Sequence, residues 1–414
     1  VSTVVDLFIE EARAVTVLEA AQMLGIRHAN SEPLTPYRNY AGPCPACGGN
    51  DRFSINTRIN AFNCRQCDGK GRDGIALMAL AGHHNVATRG GLLAACADAL
   101  GKPVPDEDER ETEEDRAARL QRIVDRKRRN EEQAAQNEIR QNEFREREIN
   151  QARGIYLAAQ DDTDGMVSDY LLRRTGFKAV PEVFANLRYA ARLTYWHGKD
   201  DRGYPAERYC GPAMVAPIVN LDCRIIGCHQ TWIDIGREPK FRPELGADEK
   251  GEPLPTKKMR GVKKGGLVPI FGLMTATRWV GGEGIENGMA IAGAEGFRED
   301  TFYFAAGDIG NLAGPADAKS NFKHPSIKRT DTRGRERAVT IQGPEPRADQ
   351  GTDDAMQVPE HVESLVLLAD GDSEIVFTAA AMARAEKRMA REGRRVTTIW
   401  PPEGRDFADC MTGK

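Results

Sequence analysis

Two Cys-x-x-Cys pairs, Cys44/Cys47 and Cys64/Cys67, stand sixteen residues apart near the start of a 414-residue chain. Cysteines two residues apart share one tight turn, so their sulfurs point to one spot. Two such turns enclose a borderline-soft cation in a tetrahedron of thiolates, which is the pattern of a zinc site. Four cysteines leave no open coordination position, so the spacing predicts structural zinc rather than a catalytic one. The competing reading is a pair of disulfides, or four unrelated buried cysteines. Gly48-Gly49 after the first pair, and Gly69 and Gly71 after the second, are turn residues of the kind a zinc ribbon uses, and they favour the metal.

The length allows two or three domains, and 40% hydrophobic residues support real cores. The first residues, VSTVVDLFIEEARAV, are acidic and amphipathic and do not read as a secretory leader. No apolar run approaches the roughly eighteen residues of a membrane span, so no membrane association is expected. Nine cysteines, four of them in the metal pattern, fit a reducing compartment, and a cytoplasmic location is expected. The net charge is −4, so any nucleic-acid contact must come from local basic patches.

Four regions are expected along the chain. Residues 1–104 hold the ribbon with flanking helices; the segment VTVLEAAQMLGI has helical spacing with a stop at Gly25, and IALMALAG ends a second helical stretch at Gly82. His83 and His84 read as helix-end surface residues. Residues 105–150 are charged, mixed in sign and poor in Gly and Pro, a solvated helical linker. Residues 151–270 mix helix and strand. Residues 271–414 alternate strand and helix as a parallel-sheet α/β unit does, with an insertion at about 314–362 that carries one hairpin. The expected fold class is therefore α/β and α+β multidomain: a small β ribbon, a charged helical linker, and a mixed α/β core ending in a mostly parallel, Rossmann-like sheet.

Leu365 to Ala369 is a continuous apolar run, the mark of a buried central strand, and it ends in Asp370-Gly371-Asp372. Alternation puts the two carboxylates on one face, about 6–7 Å apart. Gly371 lets a phosphate or a backbone approach closely. Acids at the carboxyl end of a parallel strand suit Mg²⁺, which binds through few protein oxygens and the phosphates of a substrate. The blander reading is a loop with two solvated aspartates. Glu283 follows the strand-like WVGG at a strand-to-helix turn, where a glutamate can act as base or acid. Glu286, one helical turn on, reads as a helix cap. The strand VTTIW brings Asp406 to the same sheet edge.

Here the chain resembles the Toprim domain: Glu-Gly after a first strand, Asp-x-Asp after a later one, and a third acid after the next. The resemblance covers about 275–414. The stretch GPCPACGGNDRFSI to AFNCRQCDGKGRDGIALMALAG is similar to the N-terminal zinc ribbon of phage, plasmid and bacterial primases, in the four-cysteine form. GPAMVAPIVNLDCRIIGCHQTWID resembles the primase-core hairpin that precedes a basic nucleotide-binding loop, with Gln230 where many relatives carry arginine. The order of parts resembles a DnaG-type primase of a mobile element, with 151–270 the first part of its core and 271–414 the catalytic Toprim domain.

That resemblance implies synthesis of short RNA primers on single-stranded DNA from NTPs by metal-dependent nucleotidyl transfer. It implies Asp370 and Asp372, helped by Asp406, as holders of Mg²⁺ or Mn²⁺, and Glu283 as base or further ligand. Lys257, Lys258, Arg260, Lys263 and Lys264, five cations in eight residues without an acid, would hold template phosphates or an incoming triphosphate; the alternative is an exposed charged loop. Arg52, Arg65 and Phe53 are candidates for template contact on the ribbon, with Phe53 read first as ribbon core. The chain ends soon after Asp406, so a separate replicative helicase is the expected partner. Two other readings stay open: a Toprim-type metal-dependent nuclease, and a non-catalytic zinc-ribbon protein that binds single strands.

Overall fold

A computed structural model describes residues 3–28, 31–36, 39–67, 69–106, 112–162, 165–248, 251–330 and 336–413. The chain divides into two compact units between Phe144 and Arg145.

In the first unit the N-terminal helical pattern is broken in two, α1 (Val4–Arg13) and α2 (Val17–Met23). Thr3 and Thr16 each close a capping box, with Asp6 and Glu19 reaching back to the cap backbone. Thr16 is extended, and its side-chain oxygen accepts the Glu19 N–H at 3.1 Å, which caps a new first turn and restarts the helix. Strands β1 (Tyr40–Cys44), β2 (Gly48–Asn56), β3 (Ala61–Cys64) and β4 (Lys70–Gly71) form an antiparallel sheet in chain order, followed by α3 (Gly74–Gly82) and α4 (Arg89–Leu100). Phe53, Ile55, Phe62 and Leu77 make its core with Val15 and Val17. His83 is the left-handed cap of α3, and His84 pairs with Asp98 at 2.7 Å, so neither histidine joins the cysteines.

Helix α5 (Glu113–Ala158) occupies the charged stretch but does not end at 150. Nor is it wholly solvated. In the first unit Ile123 is buried and Asn130 donates to the Ala14 carbonyl at 2.9 Å. In the second, Ala152 and Tyr156 pack against Val215 and Cys228.

The second unit continues with α6 (Met166–Thr175) and a four-stranded antiparallel sheet of β5 (Arg188–Lys199), β6 (Pro205–Val219), β7 (Ile225–Trp232) and β8 (Lys257–Gly261). Then come β9 (Val268–Phe271), β10 (Arg278–Gly282), α7 (Ile285–Ala294), β11 (Thr301–Ala305), α8 (Ile309–Ala313), the hairpin β12 (Phe322–Thr330) and β13 (Glu336–Ile341), β14 (Ser364–Leu368), α9 (Ile375–Met389), β15 (Arg395–Ile399) and α10 (Phe407–Thr412). Five of these strands form a mixed, mostly parallel sheet in the order β15-β14-β10-β11-β9, with only β9 antiparallel.

The inner strands β10, β11 and β14 are buried on both faces, which is why Leu365 to Ala369 reads as an unbroken apolar run, whereas edge strand β15 is half-exposed. Val280, Tyr303 and Leu368 face one core with Ile285 and Met289 of α7. Trp279, Phe302, Phe304, Leu365 and Leu367 face the other with Ala381 and Met382 of α9. Gly282 pairs with Leu368, and Leu368 with Ile399, so β10, β14 and β15 end level and their following loops share one edge. No helix among the described residues is long and apolar enough to cross a membrane.

Candidate functional site

The four ribbon sulfurs converge. One ligand atom from each of Cys44, Cys47, Cys64 and Cys67 lies within 4.8 Å of all the others. Cys47 Sγ and Cys64 Sγ are 3.6 Å apart, and Cys44 Sγ and Cys67 Sγ 3.9 Å. A tetrahedron with metal–sulfur bonds of about 2.3 Å has edges of about 3.8 Å, so the quartet has the dimensions of a zinc site. All four are free thiols, which removes the disulfide alternative. The backbone N–H groups of Ala46 and Cys47 point at Cys44 Sγ, and those of Gln66 and Cys67 at Cys64 Sγ, the donors a thiolate needs. Desolvation, then contacts with Cys64, Cys47 and Cys44, push the Cys67 thiol up to about 12. Four sulfurs this close do not all ionise without a cation among them.

Beneath the sulfurs, Phe53 is fully buried between Tyr40 and Phe62, at ring distances of 6.2 and 5.7 Å. It is core and offers no stacking face. Arg65 is exposed and bonds the Asp51 carbonyl at 2.6 Å; Arg52 is half-buried, its side chain lying over Gly49.

The second site is a cleft of about 160 Å³ at the edge where β10, β14 and β15 end. Glu283, Asp370, Asp372 and Asp406, expected from three separate stretches of sequence, all line it. Asp370 Oδ1 accepts from Asn287 Nδ2 at 2.7 Å, and Asn287 Oδ1 accepts the Ala408 N–H at 3.3 Å. Asn287 on α7 thus holds the end of β14 and the start of α10 together. Asp406 caps α10 by accepting the Asp409 N–H at 2.6 Å, and buried Arg174 lies 3.7 Å from its carboxylate. A Cβ on Gly371 would stand 2.5 Å from the Arg405 carbonyl and 2.8 Å from that of Pro402, and Gly404 N–H donates to the Gly371 carbonyl at 2.8 Å. The close approach foreseen at Gly371 is therefore made by backbone.

Burial, then the charges of Asp370 and Asp308, pushes the Glu283 carboxyl up to about 7. Burial, then Asp372 and Asp406, pushes Asp370 up to about 6, and burial raises Asp406. Uncompensated negative charge is thus concentrated here. Among the described residues, however, only the cysteine quartet brings three or more ligand atoms within 4.8 Å of one another. The carboxylates open on one cleft without closing a cage.

Four cations line the same cleft: Arg174, beside Asp406, with Lys240, Arg242 and Lys257. Glu286, also in the lining, is not a helix cap. It is 4% exposed and receives Lys257 Nζ at 2.7 Å, Arg242 Nη2 at 2.8 Å and the Tyr170 hydroxyl at 2.6 Å, while Gly284 takes the N-cap. Burial alone would raise this carboxyl; Lys257 and Arg242 outweigh it and hold Glu286 well below the ordinary range. His229, buried beside Lys257, is lowered to about 3 by desolvation and stays neutral.

The first part of the basic run is strand β8, and alternation divides it; Lys263 and Lys264 lie beyond it, in the turn before β9. Lys257 faces the acidic cleft. Lys258 lies 3.7 Å from the Tyr195 ring centre and donates to the Trp196 carbonyl, and Arg260 pairs with Glu148 at 3.3 Å. These two line a separate hollow of about 560 Å³ with Arg192, Trp196 and Gln230. Lys263 pairs with Asp308, and Lys264 is exposed. Gln230 is buried, its amide directed to Cys228 Sγ. Sequence reasoning missed Arg174, Lys240, Arg242, Tyr170 and Asn287; the first four are remote from the acid motifs, and Asn287, four residues after Glu283, reads only as part of the helix that follows.

Comparison with known proteins agrees with the ribbon geometry. Residues 146–270 match a family described only as a domain of unknown function. No curated protein matches the chain. Among solved structures, a DnaG primase catalytic domain bound to single-stranded DNA is similar at 14% identity, with 66% of this chain and 78% of that chain covered and a TM-score of 0.36. The primase fragment of the bacteriophage T7 primase-helicase is similar at 11% identity, over 90% of this chain and 94% of that one, with a TM-score of 0.27. Residues 39–75, the stretch that carries the converging cysteine quartet, match the zinc-binding domain of primase-helicase.

Proposed function

We propose that the protein is a DNA primase that makes short RNA primers on single-stranded DNA, with residues 271–414 as its Toprim-type catalytic domain. The observation that carries this reading is the primase-helicase zinc-binding match at residues 39–75, in a chain that also has a four-carboxylate cleft on a mostly parallel sheet. Joining nucleotides needs positioning and charge neutralisation more than covalent catalysis. A cleft lined by both carboxylates and cations suits both needs.

Asp370, Asp372 and Asp406 would hold Mg²⁺ or Mn²⁺, since such ions take one or two protein carboxylates and complete their shell with water and phosphate. The ion would supply charge neutralisation at the transferring phosphoryl group. Glu283, raised to about 7, is suited to take the proton of a primer 3′-hydroxyl near neutral pH. Lys240, exposed in the same lining, would orient the triphosphate. Lys257 and Arg242 would do so only indirectly, because their charges are committed to Glu286. Arg52 and Arg65 on the ribbon, and Lys258, Arg260 and Trp196 on the far face of β8, are the proposed template contacts, joining charge to a ring. Lys263 and Lys264 lead from β8 to β9 and would meet phosphates at the mouth of the cleft.

The test is incubation with single-stranded DNA, four NTPs and Mg²⁺. Labelled short RNA that disappears in Asp370→Asn supports priming. Shortened DNA without RNA would make the protein a nuclease, and binding without either product would leave a recruitment role.

A further inference from the structure

The excursion between α8 and β14 is fastened to the catalytic sheet by buried groups. Arg384 of α9 is 4% exposed; its Nε donates to the Gly314 carbonyl at 2.8 Å and its Nη1 to that of Gly343 at 2.5 Å. Lys387, one turn along α9, pairs with Glu345. His324, at the foot of β12, is 2% exposed. Its Nδ1 accepts the Ile327 N–H at 2.8 Å and the Ser326 N–H at 3.1 Å, which leaves the ring proton on Nε2, facing Glu374 Oε1 at 3.0 Å. Glu374 is two residues beyond Asp372 and caps α9 by accepting the Phe377 N–H at 2.8 Å. The hairpin is thus moored to the loop that carries the acids, at the edge where β10 and β14 end.

Beyond its foot the hairpin changes character. Its described strands carry Lys323, Lys328, Arg329 and Arg337 against a single acid, Glu336, and Lys328 and Arg329 are exposed. Residues 324–327 bulge out of the ladder, so β12 pairs with β13 at Phe322 and Lys323 and again from Lys328 to Thr330. A two-stranded ribbon is marginally stable by itself, and buried arginine is costly to desolvate, so the mooring is an investment in position. Lysines on a free strand edge also discourage pairing with another chain, which is the competing use of these charges.

We propose that strands β12 (Phe322–Thr330) and β13 (Glu336–Ile341) form a cationic arm that holds the sugar–phosphate backbone of the duplex formed as product at the neighbouring acidic cleft. The proposal rests on the priming reading, under which that duplex is an RNA–DNA hybrid. An A-like helix has a major groove too deep and narrow for side chains to read and displays phosphates and 2′-hydroxyls across a shallow minor groove. The arm's contacts are then with phosphate, independent of sequence and sensitive to salt.

The full chain and its K328E/R329E variant would be titrated with an annealed RNA–DNA hybrid bearing a DNA overhang, and with the same DNA single-stranded, over a series of salt concentrations. The hybrid affinity should fall about tenfold or more, and the slope of log K against log salt should shrink by about two; single-strand affinity should stay within about twofold. The conservative Lys328→Arg/Arg329→Lys variant should bind as the parent does, and unchanged melting of both variants would exclude misfolding. An unaltered hybrid affinity and slope would overturn the proposal and leave edge protection. Equal losses on both ligands would overturn it too, by making the arm part of a template surface. Because binding needs no synthesis, a parent protein that makes no RNA but grips the hybrid through these residues would refute priming and not the arm. RNA synthesis with unchanged hybrid binding in K328E/R329E would do the reverse.

Discussion

Lys257 Nζ donates to Glu286 Oε2 at 2.7 Å inside the acidic cleft, so the first cation of the basic strand is a structural counter-charge. Arg242 shares the same carboxylate. Glu286→Gln would strand two cations in a site from which water is largely excluded. Removing one partner of a buried ion pair costs about 3–5 kcal/mol. Urea unfolding should show a loss of this order, and Glu286→Asp should recover part of it. A loss under about 1 kcal/mol would place the group in solvent contact.

Glu283 gives a pH-dependent stability. Its carboxyl is raised from 4.5 to about 7 in the folded chain, so between those values the native state binds a proton that the unfolded state does not. Stability from this group therefore falls as pH rises through 7 and is recovered as pH drops towards 4.5. Buried, neutral His229 works the other way: its stabilising effect is lost as pH falls from about 6.5 towards 3, so the two must be separated by mutation. Without divalent cations, Glu283→Gln should be more stable than the parent at pH 8, with an advantage that fades by pH 5. A difference independent of pH would contradict the assignment.

Asn287 is a positioning residue between Asp370 and Ala408. Asn287→Ala should cost about 1–3 kcal/mol, the range for a buried acceptor left without its donor. It should also raise the Mg²⁺ concentration needed for half-maximal activity while leaving zinc content unchanged. A change in kcat with no shift in the metal requirement would argue for a different role.

The ribbon should hold about one zinc per chain, and Cys67→Ser should lose it. Since Phe53, Phe62 and Leu77 pack directly with Cys44 and Cys64, chelation should release the near-ultraviolet signal of this core along with the metal. Retention of that signal after complete zinc removal would show a core that stands without it.

The legible parts of this molecule are those in which one local pattern fixes both shape and chemistry. The cysteine turns carry their own geometry. The acids were legible because a strand buried on both faces is an unbroken apolar run, and the residue that ends the run falls at the sheet edge. Lys257 to Gly261 was not legible as a strand, because Lys-Lys-Met-Arg-Gly has no β-branched residue and owes its conformation to pairing with β7. Without that pairing the division of its charges between two faces is invisible. The role of Glu286 was hidden for a similar reason: its partners at 170, 242 and 257 meet only after the sheets pack. In α5 the charged majority masks a sparse stripe, Ile149, Ala152 and Tyr156, that makes its last turns core.

The backbone lock between Gly371 and the Pro402–Arg405 loop has a consequence for how this protein can vary. Asp370, Asp372 and Asp406 belong to one jaw, cast in a single piece, with no room at its seam for even a methyl group. Neither loop can lengthen without prising the jaw apart. Growth and novelty are pushed outwards, into the excursion between α8 and β14, where the chain can be rewritten while the jaw keeps its bite.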